Sequence, residues 1–278
     1  MPIHDQTYRR YTGPRRQHGP IWWVIARTGI RTVLRDRRFI ALLLLAWAPF
    51  VVRAVQIYAS ATFPQASFLI ATAGTFRDFM SQQGLFVFFV TIYVGAGLIA
   101  DDRRANALQI YLSKPLTRVE YIVGKSAVLI VFLIGVTWLP AMLLLLFQVM
   151  FNGVDFVRDN LRLIPAITLL AAVETLVSAL VMMAISSLSR SKRFVAVMYA
   201  GMIVFTTAIA GAVRAITGAA SLAWLSPAES LAIVGDAIFR VPAIHAVPVG
   251  VAWASLAVVV AGAIVILERR VRGVEVVA

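Results

Sequence analysis

Residues 122–151 read IVGKSAVLIVFLIGVTWLPAMLLLLFQVMF, and after Lys125 the run carries no charge. A helix rises 1.5 Å per residue, so roughly 20 apolar residues cross the ~30 Å of bilayer hydrocarbon. This stretch exceeds that length. Lipid offers backbone N–H and C=O groups no partners, so a spanning segment of this kind satisfies them within a helix. Pro140 marks the expected kink, since its ring removes one donor and crowds the preceding turn. Five other apolar stretches are long enough to span: Phe39–Tyr58, Gln83–Ala100, Leu163–Leu188, Phe194–Val213 and Ile244–Leu267. The expected fold is therefore an all-α membrane protein with six transmembrane helices, occupying residues 39–268. The third and fourth stretches run beyond the minimum and should tilt, kink or project.

Composition agrees. Of 278 residues, 60% are hydrophobic and 14% charged, against roughly half and a quarter in soluble domains. The net charge of +13 resembles a nucleic-acid signal, but the basic residues sit between apolar runs, where they act as orientation signals. With no cysteine, disulfides, thiolate metal sites and cysteine nucleophiles are excluded. The first apolar run follows a long arginine-bearing leader without a short h-region, so the expected insertion signal is the spans themselves.

Lysine and arginine counts set the orientation. The tail with the stretch up to Arg38, the second–third and fourth–fifth connections and the C-terminus hold twenty; the opposite connections hold five, namely Arg77, Arg158, Arg162, Arg214 and Arg240. Both termini are thus expected in the cytoplasm, with residues 1–19 a polar tail and 269–278 a short one. Between tail and first span, residues 20–38 carry Arg27, Arg31, Arg35 and Arg38 as one stripe opposite Trp22, Trp23, Ala26, Ile30, Val33 and Leu34. This pattern fits an amphipathic helix in the headgroup region, or a solvated charged face on an ordinary helix.

The most informative connection is Asp101–Lys125, DDRRANALQIYLSKPLTRVEYIVGK. Leu108, Ile110, Tyr111 and Leu112 form a short amphipathic stretch that Pro115 ends, and Thr117-Arg-Val-Glu120 makes a capping box for the third span. A short helix held between two membrane helices is a rigid docking element; the alternative is a plain surface loop.

These residues resemble the membrane subunit of ABC exporters of the ABC-2 type. That family carries an acid after the second helix, here Asp101 or Asp102. A small-Leu-x-x-Leu-like run follows, matched by Ala107-Leu108 and Tyr111-Leu112, and then the steps Pro115-Leu116-Thr117-Arg118 and Gly124-Lys125. The family's usual Glu-Arg-x-x-Gly-Thr run stands here as Asp-Arg-Arg-Ala-Asn-Ala. The resemblance implies a permease with no cofactor of its own, working with a nucleotide-binding ATPase subunit that holds ATP and Mg, and with a second permease copy or a paralogue. It also implies a bacterial-type cytoplasmic (inner) membrane location and a coupling contact formed by Asp101, Arg103, Arg104, Leu108, Tyr111, Lys114 and Pro115. A central cleft lined by the second and fifth helices would take Phe88, Phe89 and Tyr93 as candidate lining, unless these aromatics face lipid or fill the bundle.

Gly124-Lys125-Ser126 imitates the end of a phosphate loop, but Val119 stands where that loop needs glycine, and the segment leads into a membrane helix. His4, His18 and His245 lack metal-ligand spacing, and no hydrolytic constellation is found, so no catalytic or metal residue is assigned. Ala196, Ala200, Ile203, Thr207 and Gly211 share one side of the fifth span, where small residues permit close backbone approach, either to a second permease or to the chain's own helices. Arg53 and Glu174 lie within spans, where a charge needs a partner, a wet cavity or a route to the headgroups; by depth Arg53 is the candidate partner of Glu174. In the last outer connection, Ser226-Pro227-Ala228-Glu229 predicts a helix start, with Leu231, Val234 and Ile238 as its apolar face against the membrane. The competing functions are an ion-gradient-driven secondary transporter and a structural subunit of a larger membrane complex.

Overall fold

A computed structural model describes residues 20–63, 65, 71–107, 117–217, 220–242 and 247–271. Six helical segments are long and apolar enough to cross a membrane: Arg37–Thr62, Ala73–Arg104, Arg118–Asn152, Leu163–Leu188, Lys192–Ile216 and Val249–Arg270. They are the first to sixth spans. No strand occurs among the described residues, so the protein is an all-α, multi-pass membrane protein.

The leading helix, Ile21–Leu34, is shorter than the arginine stripe suggests. Arg35 turns, and Asp36 takes extended backbone angles and accepts a hydrogen bond from the Arg38 backbone N–H at 2.9 Å. It thereby caps a new helix, which is the start of the first span. The Tyr93 hydroxyl also donates to Asp36. That hydroxyl first, and then the Arg38 N–H, hold the Asp36 carboxyl below its ordinary pKa. The corner it stabilises is intact at neutral pH and weakens only as pH falls through that lowered value.

Proline breaks two spans. Helices Arg37–Ala46 and Ala48–Thr62 meet at Trp47, ahead of Pro49, a break the sequence reading overlooked. Helices Arg118–Val136 and Trp138–Asn152 meet at Thr137, three residues before the expected Pro140. The offset follows from geometry: a proline ring crowds the carbonyl four residues earlier, here Val136. Thr137 adapts by donating its hydroxyl to the Leu133 carbonyl at 2.8 Å.

The second span begins at Ala73, ten residues before the expected Gln83, with Thr72 and Thr75 forming its capping box. Arg77 is expected in a connection and Gln83 at the start of the span, yet Arg77 is 8% exposed and Gln83 is fully buried inside the helix. The Gln83 amide donates to the Ala46 carbonyl at 3.2 Å, next to the break in the first span. Residues 86–93 consequently sit around the middle of the segment Ala73–Arg104. The fourth span matches its expected limits and is the centre of the bundle. Its apolar window is 61% buried, against 11% for the first span and 17% for both the fifth and the sixth.

Candidate functional site

At one end of the bundle the second span breaks at residues 96–99 and resumes as Ala100–Arg104. Ser186, on the fourth span, fills this break. Its hydroxyl accepts from the Ile99 and Ala100 backbone N–H groups, each at 3.1 Å, and donates to the Ala96 carbonyl at 3.0 Å. Such a triple contact satisfies groups that the break would leave bare. The Arg103 guanidinium donates to the Ser187 carbonyl, a second tie to the same helix end. Asp102 then takes the Lys125 ammonium at 2.6 Å and the Tyr121 hydroxyl at 2.7 Å. The acid and the Gly-Lys step of the sequence motif therefore touch, and Asp102 is the acid that does so.

Gly124 has a separate purpose. A methyl there would stand 2.8 Å from the Trp22 carbonyl and 3.0 Å from Ile25 Cβ. The leading helix crosses the third span at this glycine and again where Gly29 meets Val128. Replacing Gly124 with alanine should displace the leading helix and cost about 1–3 kcal/mol, because a backbone carbonyl cannot swing aside. Gly135, with nothing within 4 Å of such a methyl, is the control. Gly135→Ala should be neutral or mildly stabilising. Equal losses for the two variants in denaturant titration would overturn this account. The capping box is also in place: the Glu120 N–H donates to Thr117 Oγ1 at 3.2 Å, and the Thr117 N–H to Glu120 Oε2 at 2.9 Å.

Towards the other end, the second, fourth and fifth spans line a half-open cavity of about 240 Å³. It is roofed by the helix Pro227–Phe239, which Ser226 caps by accepting from the Glu229 N–H. This helix begins where the sequence predicts, and Leu231, Val234 and Ile238 all pack against the core of the bundle, not against the membrane surface. Pro227, Ser230, Ile233, Val234, Gly235, Asp236 and Phe239 are its buried residues, while Leu231 is half-buried and lines the cavity. The helix is wedged into the bundle because its polar groups have partners there. Asp236 takes Arg77 of the second span at 2.7 Å, with 6% and 9% of the two side chains exposed. Glu229 takes Arg214 of the fifth span at 2.7 Å. Gly235 makes room for the first pair, since a methyl there would lie 2.9 Å from Arg77 Nε.

Of the sequence-predicted residues, Leu108, Tyr111, Lys114 and Pro115 lie outside the described residues. Asp101 and Arg104 are exposed, whereas Arg103 is half-buried against the fourth span. Phe88 lines the cavity and stacks on Tyr199, with ring centroids 6.0 Å apart. Phe89 and Tyr93 are not among the cavity's lining residues; Tyr93 reaches down to Asp36 and packs on Phe39. Arg53 donates to Gln56 at 2.9 Å and makes no ion pair with Glu174. The two face different ways, Arg53 on the first span and Glu174 into the cavity beside Gly84. Ala196 and Ile203 pack against the chain's own core, and Thr207 bonds to Ser226 at 3.1 Å. The uncovered side of the fifth span instead carries Val197, Val204, Phe205 and Ile216. Ser186 and the Arg77–Asp236 pair escaped the sequence reading. Neither carries a local signal beyond a serine or a charge next to apolar neighbours.

A family model described as ABC-2 family transporter protein matches residues 23–270. No curated protein matches the sequence.

Proposed function

This chain belongs to the ABC-2 transporter family, and we propose that it is the transmembrane permease subunit of an exporter driven by a separate ATPase. The ATPase would bind ATP and Mg and dock on residues 101–117, with both termini of the permease on the cytoplasmic side of an inner membrane. The observation that carries the reading is the junction at Asp102. There the second span, the third span and the fourth span's end are joined by Lys125, Tyr121 and Ser186, and the leading helix is seated on Gly124. A push on the junction at Asp102 would reach the cavity-lining second and fourth spans together, since packed elements move as units. The outer helix, ion-paired to the second and fifth spans, is the natural gate on the release side. A second permease copy would meet the uncovered side of the fifth span, where Val197, Val204 and Phe205 are exposed.

The test is to purify the tagged full-length chain from its native membrane and label the preparation with a photoreactive ATP analogue. A labelled ATPase polypeptide should copurify, and the permease in nanodiscs should stimulate its ATP hydrolysis. Lys125→Met should lower that stimulation about tenfold while the ATPase still copurifies, because the change strips Asp102 of its cation while leaving the sequence of residues 101–117 as it is. No labelled partner, or transport driven by a proton gradient without ATP, would overturn the reading in favour of an ion-coupled transporter.

A further inference from the structure

Among the residues lining the cavity, the charged ones are Arg77 and Glu174. Arg77 is engaged: its Nε contacts Asp236 at 2.7 Å and its Nη2 donates to the Ala232 carbonyl at 2.9 Å. Glu174 makes no hydrogen bond or ion pair among the described residues. Its carboxylate leans across the cavity toward the second span, with Oε1 3.7 Å from where a methyl on Gly84 would stand. The remaining wall is mostly apolar, including Phe88, Met202 and Leu231, with the hydroxyls of Ser81, Ser178 and Tyr199 as its other polar groups. An ionisable side chain inside a membrane bundle is costly, and those that persist face cavities and serve function.

We propose that this cavity binds a small organic monocation, its charged head against the Glu174 carboxylate and its apolar or aromatic body against Phe88, Met202 and Leu231. The sign follows from charge pairing. The Arg77–Asp236 pair is neutral as a unit, so Glu174 is the uncompensated charge facing the cavity. An anion would have to draw Arg77 away and leave Asp236 buried alone. A hard metal ion fits poorly, because it needs about six oxygen ligands and no cluster of three His, Asp or Glu exists among the described residues. The size follows from the volume. About 240 Å³ lies below the ~300–1,000 Å³ of drug-sized pockets, so the guest is one ring or a short chain with its head group. Aromatic walls suit such cations, since ring faces attract quaternary ammonium groups. That this guest is cargo rests on the permease reading; that it binds does not.

The experiment uses the full-length chain in nanodiscs with radiolabelled benzyltrimethylammonium as the probe, and empty nanodiscs as the blank. Saturable binding of one probe per chain is expected. Neopentylbenzene, the neutral isostere, and benzenesulfonate, an anion of similar size, should displace it at least about tenfold less well than unlabelled cation. Glu174→Gln should weaken binding about tenfold or more, and Glu174→Asp should retain most of it. Gly84→Leu, which fills the space beside the carboxylate without changing charge, should abolish binding. No saturable binding to the wild-type chain, or displacement by neopentylbenzene as effective as by the cation, overturns the proposal even if every variant misfolds. Because no ATPase is present, a negative result leaves the permease reading standing. Failure of an ATPase to copurify, in turn, leaves the cation site standing.

Discussion

Asp236→Leu should destabilise the folded chain by about 3–5 kcal/mol, the usual cost of removing one partner from a buried ion pair. Leucine is close in size to aspartate's site but leaves the Arg77 guanidinium with only the Ala232 carbonyl in a wall where 9% of its side chain reaches the surface. Arg77→Met should cost a similar amount for the mirrored reason, since it strands the Asp236 carboxylate. Combining Arg77→Met with Asp236→Leu should recover most of the loss, because two apolar side chains replace two charges and neither is left alone. Denaturant titration in mixed micelles measures all three. A double variant no more stable than the worse single one would mean that the outer helix is held by packing alone and that the ion pair is incidental. Gly235→Ala probes the same latch from the other side. Its methyl would press on the guanidinium at 2.9–3.2 Å, so it should weaken the latch while leaving both charges in place.

That latch also marks where sequence reading loses its grip. Six spans were legible because hydrocarbon imposes a length and a composition that no packing detail can override. The fourth span, bounded by Arg162 on one side and by Ser189-Arg-Ser-Lys-Arg193 on the other, was read to its exact ends. The second was read ten residues short because Arg77 looks like a loop residue until its partner is known, and Gln83, taken as the start of the span, gives no sign of its own partner. Those partners, Asp236 and the Ala46 carbonyl, lie on other elements of the chain. The break at Trp47 and the cap at Asp36 did have local cues, a proline two residues on and an aspartate before Arg-Arg-Phe. The periodicity of the surrounding residues masked both. At the candidate site the motif residues could be named in advance, but not their contacts. That Asp102 would meet Lys125, and that Gly124 serves the Trp22 carbonyl, depends on how two spans and the leading helix pack.

Ser186→Ala is expected to open the joint that this packing creates. The change removes the acceptor for two buried N–H groups and the donor for one buried carbonyl, each worth roughly 1–3 kcal/mol when orphaned. Local rearrangement would recover part of that, because residues 96–99 are already non-helical and can shift towards water at the bundle's end. The loss should therefore appear locally before it appears in global stability: amide hydrogen exchange at Ile99 and Ala100 should accelerate about tenfold or more. On the proposed permease function, ATP hydrolysis by the partner should fall with it, since the second span would no longer follow the fourth. Ser187→Ala is the matched control. Its hydroxyl donates only to Ala184 within its own helix, and its carbonyl keeps the contact with Arg103 in either variant, so exchange at residues 96–104 should be unchanged. If Ser186→Ala leaves the Ile99 and Ala100 amides as protected as in the wild type, the break is held by the surrounding apolar packing of Gly95 against Met182. The serine would then have no part in transmitting motion.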